Sequence, residues 1–264
     1  MGMRFCSLSS GSSGNCQYVE TDNSRILIDA GFSGKRVEEL LKSIGVCPTT
    51  LDAIFVTHEH IDHIKGVGVL SRRYDLPIYA NENTWIGMRK TIGNIEEKNI
   101  NTFYTGRDLE FQDMNIRPIA VFHDALEPVG YIINHKKSKI SIITDTGHVC
   151  DDMIKEIKNS QLYLMESNHD EFMLKEGLYP WYLKQRIMSD EGHLSNDDAG
   201  KALGNVLSGN GEVVLLAHLS KDNNIPELAL DTVKTSLYSQ GIAVDREMIL
   251  GLSHRDRPTK VYNL

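Results

Sequence analysis

The stretch LDAIFVTHEHIDH, residues 51–63, decides how this chain is read. Its first half, Leu51 to Thr57, is an apolar run with β-branched and aromatic members, the composition of a buried strand. Its second half sets His58, His60, Asp62 and His63 directly after that strand. Loops at the C-terminal ends of strands are where α/β sheets place their ligand sites. Imidazole and carboxylate together suit zinc, manganese or iron. On an extended loop His58 and His60 point the same way, so both can reach one cation. Asp62 and His63 open the next helix, read as Asp62 to Tyr74, and can turn toward a second cation. Glu59 is read as a solvated acid pointing away.

One loop rarely completes two metal shells, so further ligands are expected at other strand ends. His123 follows the run NIRPIAVF, Asp145 follows KISIIT, and His218 follows EVVLLA. Each alone reads more readily as a capping or core polar residue. Together they repeat one architectural position, the C-terminal end of an apolar run. A carboxylate has two oxygens, so Asp145 can bridge two cations.

The remaining pattern alternates strands with helices. Ser24 to Asp29 is a strand ending in an acid. Gly34 to Ile44 puts Val37, Leu40, Leu41 and Ile44 on one helical face, and Gly45 stops it. Strands follow at Leu76 to Ala80, Asn115 to Phe122, Gly130 to Asn134, Lys139 to Thr144, Gln161 to Met165 and Glu212 to Ala217. Helices are expected at Asp151 to Lys158, after a cap at Ser195, and at Pro226 to Ser239. This is an α/β chain, read as a single domain over residues 1–264. Apolar residues make up 41% and charged residues 24%, as in ordinary globular proteins. The net charge of −8 argues against a large basic surface for non-specific nucleic-acid binding. It leaves room for a nucleic-acid substrate at a cation-loaded site. Cys6, Cys16, Cys47 and Cys150 form no C-x-x-C pair and read as the reduced thiols of a cytoplasmic protein. Neither a signal peptide nor an apolar run long enough to span a membrane is found.

The His58–His63 run, His123, Asp145 within Thr144 to Gly147, and His218 resemble the motif set of the metallo-β-lactamase superfamily, over residues 4–250. The resemblance implies an αββα sandwich with a dinuclear centre and two divalent ions, zinc or manganese. One ion would take His58, His60 and His123, the other Asp62, His63 and His218, with Asp145 bridging. A histidine at position 63, and no cysteine near Asp145 or His218, point away from antibiotic hydrolysis.

Further strings resemble one branch of that superfamily, the YycJ/WalJ-like proteins. They are Ser7 to Asn15, His123-Asp124, Glu127 to Tyr131, Glu166 to Asp170, Gly192 to Asn196, His218 to Ser220, and Asn223-Asn224. Members of that branch are metal-dependent 5′ exonucleases of double-stranded DNA. The resemblance implies a phosphodiesterase with DNA as substrate, attacking with a hydroxide held between two metals. Asp62 and His193 would be catalytic, His193 as general acid.

The same strings have physical readings. The loop carrying Ser12, Ser13 and Asn15 either cradles phosphate or is a flexible turn. His193 and Ser195 stand at a helix N-terminus, where an anion is favoured, or simply form a capping loop. Asn168, His169 and Ser220 line the site or orient its ligands. His148 reads as a spare polar group, and His135 and His254 as surface residues. Arg72-Arg73 and the Lys136, Lys137, Lys139 group are small basic patches, solvated or touching a DNA backbone. Two alternatives stand beside the nuclease: a small-molecule hydrolase of cyclic phosphodiesters, esters or thioesters, and a metal-holding protein without turnover.

Overall fold

The computed structural model describes residues 2–244 and 246–264. The chain divides into two compact units. The first runs to Ala120 and includes Ala125–Ser138 and Ser253–Leu264; the second comprises Val121–Asp124 and Lys139–Leu252.

In the first unit the chain runs β1 (Arg4–Ser9), β2 (Cys16–Glu20), β3 (Arg25–Ile28), α1 (Gly34–Ser43), β4 (Ala53–Phe55), α2 (Ile61–Ile64), α3 (Val67–Tyr74), β5 (Ile78–Ala80), α4 (Glu82–Ile92) and β6 (Ile100–Thr102). These six strands lie in numerical order in one sheet, and a closing strand, Tyr262–Asn263, pairs with β1. The pairing is antiparallel from the closing strand through β3 and parallel from β3 to β6. A second ladder, β7 (Leu109–Phe111), β8 (Met114–Ala120) and β9 (Val129–His135), is antiparallel.

The sheet is held by what its strands bury. Leu27, Ile54 and Val56 pack with Leu41, Leu70 and Trp85 from the covering helices. Phe55 stacks on Tyr79 at 4.6 Å and meets Phe111 and Tyr131 edge-on. Ser33 caps α1, its hydroxyl accepting from the Arg36 amide, and the helix buries Val37, Leu40 and Leu41 as its period requires.

In the second unit the order is β10 (Ser138–Ile143), α5 (Asp151–Ile157), β11 (Leu162–Glu166), α6 (Glu171–Glu176), α7 (Trp181–Ile187), α8 (Asn196–Val206), β12 (Glu212–Ala217), α9 (Pro226–Ser239) and β13 (Met248–Leu252). Its four strands are parallel and neighbours in numerical order. β11 and β12 are buried along their whole length, as a parallel sheet covered on both faces demands. Helices α8 and α9 pack together against this unit.

Three expectations change. The helix expected from Asp62 to Tyr74 is two helices, broken at Lys65-Gly66. There the Gly66 amide donates to Ala30 O at 2.7 Å, and a Cβ would come within 2.4 Å of Phe32 O. A long-range backbone contact therefore overrides local periodicity. His135, expected at the surface, is 3% exposed, its Nδ1 on Asp113 O at 2.8 Å. Glu59 is no solvated acid: its Oε1 accepts from the Leu126 amide at 2.8 Å. All four cysteines are free thiols, two of them buried. Among the described residues no helix is long and apolar enough to cross a membrane.

The turn after β3 threads between two segments of the first unit. Ala30 N donates to His63 O, Gly31 N to Asn15 O, and Asn15 N to Asp62 O, each at 2.8 Å. A Cβ on Gly31 would lie 1.6 Å from Asp62 O, which no rotamer relieves. Gly31→Ala is therefore expected to lower stability by about 1–3 kcal/mol or more in urea denaturation. A midpoint equal to the parent's would show that this turn yields.

Candidate metal centre

In the first unit the ligand-bearing residues stand on a buried carboxylate. Asp29, just past β3, takes a left-handed backbone, φ +62°. Its Oδ1 accepts from the Thr57 amide and its Oδ2 from the Thr57 hydroxyl, both at 2.8 Å. Oδ2 also lies 2.7 Å from His63 Nδ1. A carboxylate offers only lone pairs there, so the proton of His63 sits on Nδ1 and its Nε2 is the basic atom. The Thr57 hydroxyl has given its hydrogen to Asp29, so at 3.0 Å it accepts from His58 Nδ1. His58 Nε2 is then the ligating position as well. Burial pushes the Asp29 carboxyl up, while His63 and Thr57 pull it down.

The rings of His58 and His63 are 4.0 Å apart, and those of His58 and His60 4.6 Å. Asn15 Nδ2 lies 2.9 Å from His63 Nε2 and 3.3 Å from Asp62 Oδ2. That N–H group stands where a cation would draw the same lone pairs. His58, His60, Asp62 and His63 are thus brought together, behind a carboxylate that the sequence reading left without a role.

In the second unit a second carboxylate does the same. Glu166, the last residue of β11, has no exposed surface. Its Oε1 lies 2.8 Å from His193 Nδ1 and 2.9 Å from His218 Nδ1, and its Oε2 accepts from the Thr146 amide at 2.8 Å. Both imidazoles therefore carry their proton on Nδ1. Burial pushes Glu166 up, but the two histidines overcome it and hold the carboxyl at about 2. His123 Nδ1 faces Gly192 O at 3.1 Å, leaving Nε2 as its basic atom. That atom lies 3.5 Å from Asp124 Oδ1 and 3.9 Å from Asp145 Oδ1. Burial lowers the His123 pKa, against the pull of Asp145, and keeps the ring neutral at pH 7. Acceptor lone pairs thus converge beside Asp145, an arrangement that a divalent cation relieves. Asp145, Glu166, His193 and His218 each offer a ligand atom within 4.8 Å of the others. Glu166 Oε1 is committed to two imidazole N–H groups, so Asp145 and His218 Nε2 are the donors of this group that suit a divalent metal.

The backbone carries strain at the same places. Asp145 and His218, like Asp29, lie past strand ends with φ near +60°, a region that non-glycine residues seldom occupy. A polar web holds them there. Asn168 Nδ2 donates to His218 O, Ser220 N to Asn168 O, and Asn168 N to Leu194 O. Asn224 Nδ2 reaches Ser167 O, Asn168 O and Asn196 Oδ1.

The expected substrate residues have mixed surroundings. Ser12 and Ser13 are exposed at a turn, whereas Asn15 is buried and holds that turn through the Gly11 amide. Ser195 caps α8, its hydroxyl accepting from Asp198 N at 3.1 Å and donating to Asp198 Oδ2 at 2.9 Å. Ser220 Oγ accepts from Asn223 N, and His169 is buried beside Ser195. His148 stacks on Phe122 at 3.9 Å, which accounts for it as a packing group. The basic patches are committed locally: Arg72 to Ile92 O and Asn94 O, Arg73 to Glu38, Lys136 to Asp22, and Lys139 to Glu156 O and Lys158 O.

Asp29 and Glu166 were the functional residues that sequence reasoning missed. The signal was present, since each is an acid ending an apolar run (SRILID, LYLME), the position that singled out Asp145.

The family described as a beta-lactamase superfamily domain matches residues 24–219. Exodeoxyribonuclease YycJ of Bacillus anthracis is 44% identical over 261 residues, 99% of each chain. Exodeoxyribonuclease WalJ of Streptococcus pneumoniae serotype 2 is 44% identical over 249 residues, 93% of each. The metallo-beta-lactamase fold protein YhfI from Bacillus subtilis superposes with a TM-score of 0.74 at 17% identity, over 98% of this chain and 99% of that one. That likeness shows the fold.

Two outcomes follow for Glu166→Gln. Metal affinity, read by chelator competition, should fall about 10–100-fold, the usual effect of removing a carboxylate behind a ligating histidine. Undiminished affinity would deny Glu166 that task. The carboxyl's folded pKa, about 2, lies below its ordinary 4.5. Its stabilising effect is present above pH 4.5 and is lost as pH falls toward 2. The urea midpoint of the parent should drop through that window more steeply than the variant's; parallel profiles would contradict the assignment.

Proposed function

This chain belongs to the beta-lactamase superfamily, in the YycJ/WalJ-like branch, and from that premise we propose that it is a dinuclear metal-dependent DNA exonuclease acting from the 5′ end. One observation carries the reading. Buried carboxylates set the histidines of both units to present Nε2 as the basic atom, the preparation that metal ligation requires.

By the family's ligand pattern, His58, His60 and His123 would hold one divalent ion, Asp62, His63 and His218 the other, with Asp145 shared. Zinc and manganese both suit these ligands. Two such ions, when bound, supply a water that ionises near neutral pH and neutralise charge on phosphoryl oxygens. The chain's own residues do the rest. His193 is fixed through Nδ1 on Glu166, so Nε2 is the atom that delivers a proton to the departing sugar oxygen. Asp62, 20% exposed at its side chain, is placed to orient the attacking water besides serving as a ligand. Ser12 and Ser13, exposed on their turn, offer hydroxyls to a DNA phosphate.

A second reading has an observation in its favour. The net charge is −8, and the basic patches named above are largely tied to carboxylates or carbonyls. A small diester or ester needs no long electrostatic footprint, so a small-molecule hydrolase is the competing class.

The test is release of label from a 5′-end-labelled duplex with Mn²⁺ or Zn²⁺, beside Asp145→Ala. Release by the parent, and loss of both metal and release in the variant, is expected. No release from the metal-loaded parent would move the assignment to small substrates. His193→Gln should lower kcat roughly a hundredfold with KM little changed, as removing a general acid does. A change confined to KM would make His193 a binding residue.

A further inference from the structure

Beside His193 the second unit has a half-open cavity of about 230 Å³, lined by Gly147, His169, Glu171, Met188, His193, Ser195 and Asp198. Its position invites a phosphate, because α8 begins at its edge. Its chemistry opposes one. Ser195 Oγ is engaged with both the amide and the carboxylate of Asp198. Glu171 and Asp198 each pair with a lysine, Lys175 and Lys201, at 2.8 Å, but neither ammonium lines the cavity, and no arginine does. An anion there would meet two carboxylates, and no lysine or arginine lines the cavity to offset them.

What the cavity offers is acceptors. His169 is 2% exposed, and its Nδ1 has no hydrogen-bond partner. Burial pushes its imidazole down to about 4, so the ring is neutral at pH 7 and keeps a lone pair. A buried polar nitrogen without a partner costs free energy; Nδ1 is itself buried, so a ligand's N–H or O–H meets it with a turn of the ring that lines the cavity. Met188 adds a polarizable apolar face suited to a flat ring. The volume is below that of pockets for drug-sized ligands, about 300–1,000 Å³, so the occupant is small.

We propose that this cavity is a subsite for the uncharged part of a nucleotide: a nucleoside whose N–H or O–H groups donate to His169, Glu171 and Asp198. Its two carboxylates disfavour a phosphate inside it. The inference rests on the nuclease reading for its biological sense, but the binding it claims does not depend on turnover. The donors can come from an exocyclic base amine or from sugar hydroxyls.

Equilibrium dialysis of the metal-loaded protein against labelled adenosine tests it. Adenosine should bind, and His169→Phe should weaken binding at least fivefold. Asp198→Asn, whose side chain is half exposed, serves where the first variant folds poorly, and should weaken binding about threefold. Purine riboside, which lacks the amine, and 2′,3′-dideoxyadenosine, which lacks the hydroxyls, identify which donors the cavity reads. No binding of adenosine, or binding unchanged in both variants, overturns the proposal. The nuclease reading fails separately, if the parent binds adenosine yet releases nothing from DNA.

Discussion

Two buried carboxylates decide where the protons of this site reside. Asp29 fixes His63 directly and His58 through the Thr57 hydroxyl. Glu166 fixes His193 and His218 on one oxygen. A neutral imidazole keeps a lone pair on one nitrogen, and in His58, His63 and His218 these contacts put it on Nε2. Without them either tautomer would serve, and a cation would have to choose among ring orientations at the moment of binding. The two acids are costly to bury alone. Their partners' N–H and O–H groups offset that cost, so carboxylate and histidine are stable only together.

The backbone is arranged around the same constraint. Asp29, Asp145 and His218 adopt left-handed conformations just past strand ends. Such strain persists where surrounding contacts over-determine the position. In the first unit those contacts are the interlocked amides of Asn15, Ala30 and Gly31. In the second they are the side-chain amides of Asn168 and Asn224. The strings that single out the YycJ/WalJ-like branch are largely these pins. Glu127 to Tyr131 also belongs here, since the Val129 amide donates to Thr57 O and the Tyr131 hydroxyl to Val56 O, bracing the chain just before His58.

Much of this was legible in the sequence because the chemistry follows strand ends. A histidine or acid after an apolar run needs no tertiary information to be noticed, and His58, Asp145 and His218 lie where that pattern puts them, while His63 sits in the helix that follows. Asp29 and Glu166 obey the same pattern, yet their task depends on residues 34 and 52 positions away, which no local window contains. The break at Gly66 and the burial of His135 are long-range effects too. β1 and β2 escaped notice because Ser7, Ser9 and Gln17 interrupt their apolar runs although every one is buried. The short helices α6 and α7 escaped because Phe172, Trp181 and Tyr182 point outward, reversing the usual amphipathic pattern.

The most direct measurement is a crystal structure of the metal-loaded protein with anomalous scattering recorded at the edge of the bound metal. Two ions are expected, with His58, His63, His123 and His218 each ligating through Nε2 while Asp29 and Glu166 keep their Nδ1 partners. A single ion, or ligation of any of these four through Nδ1, would contradict the view that buried carboxylates prepare this chain for a dinuclear centre.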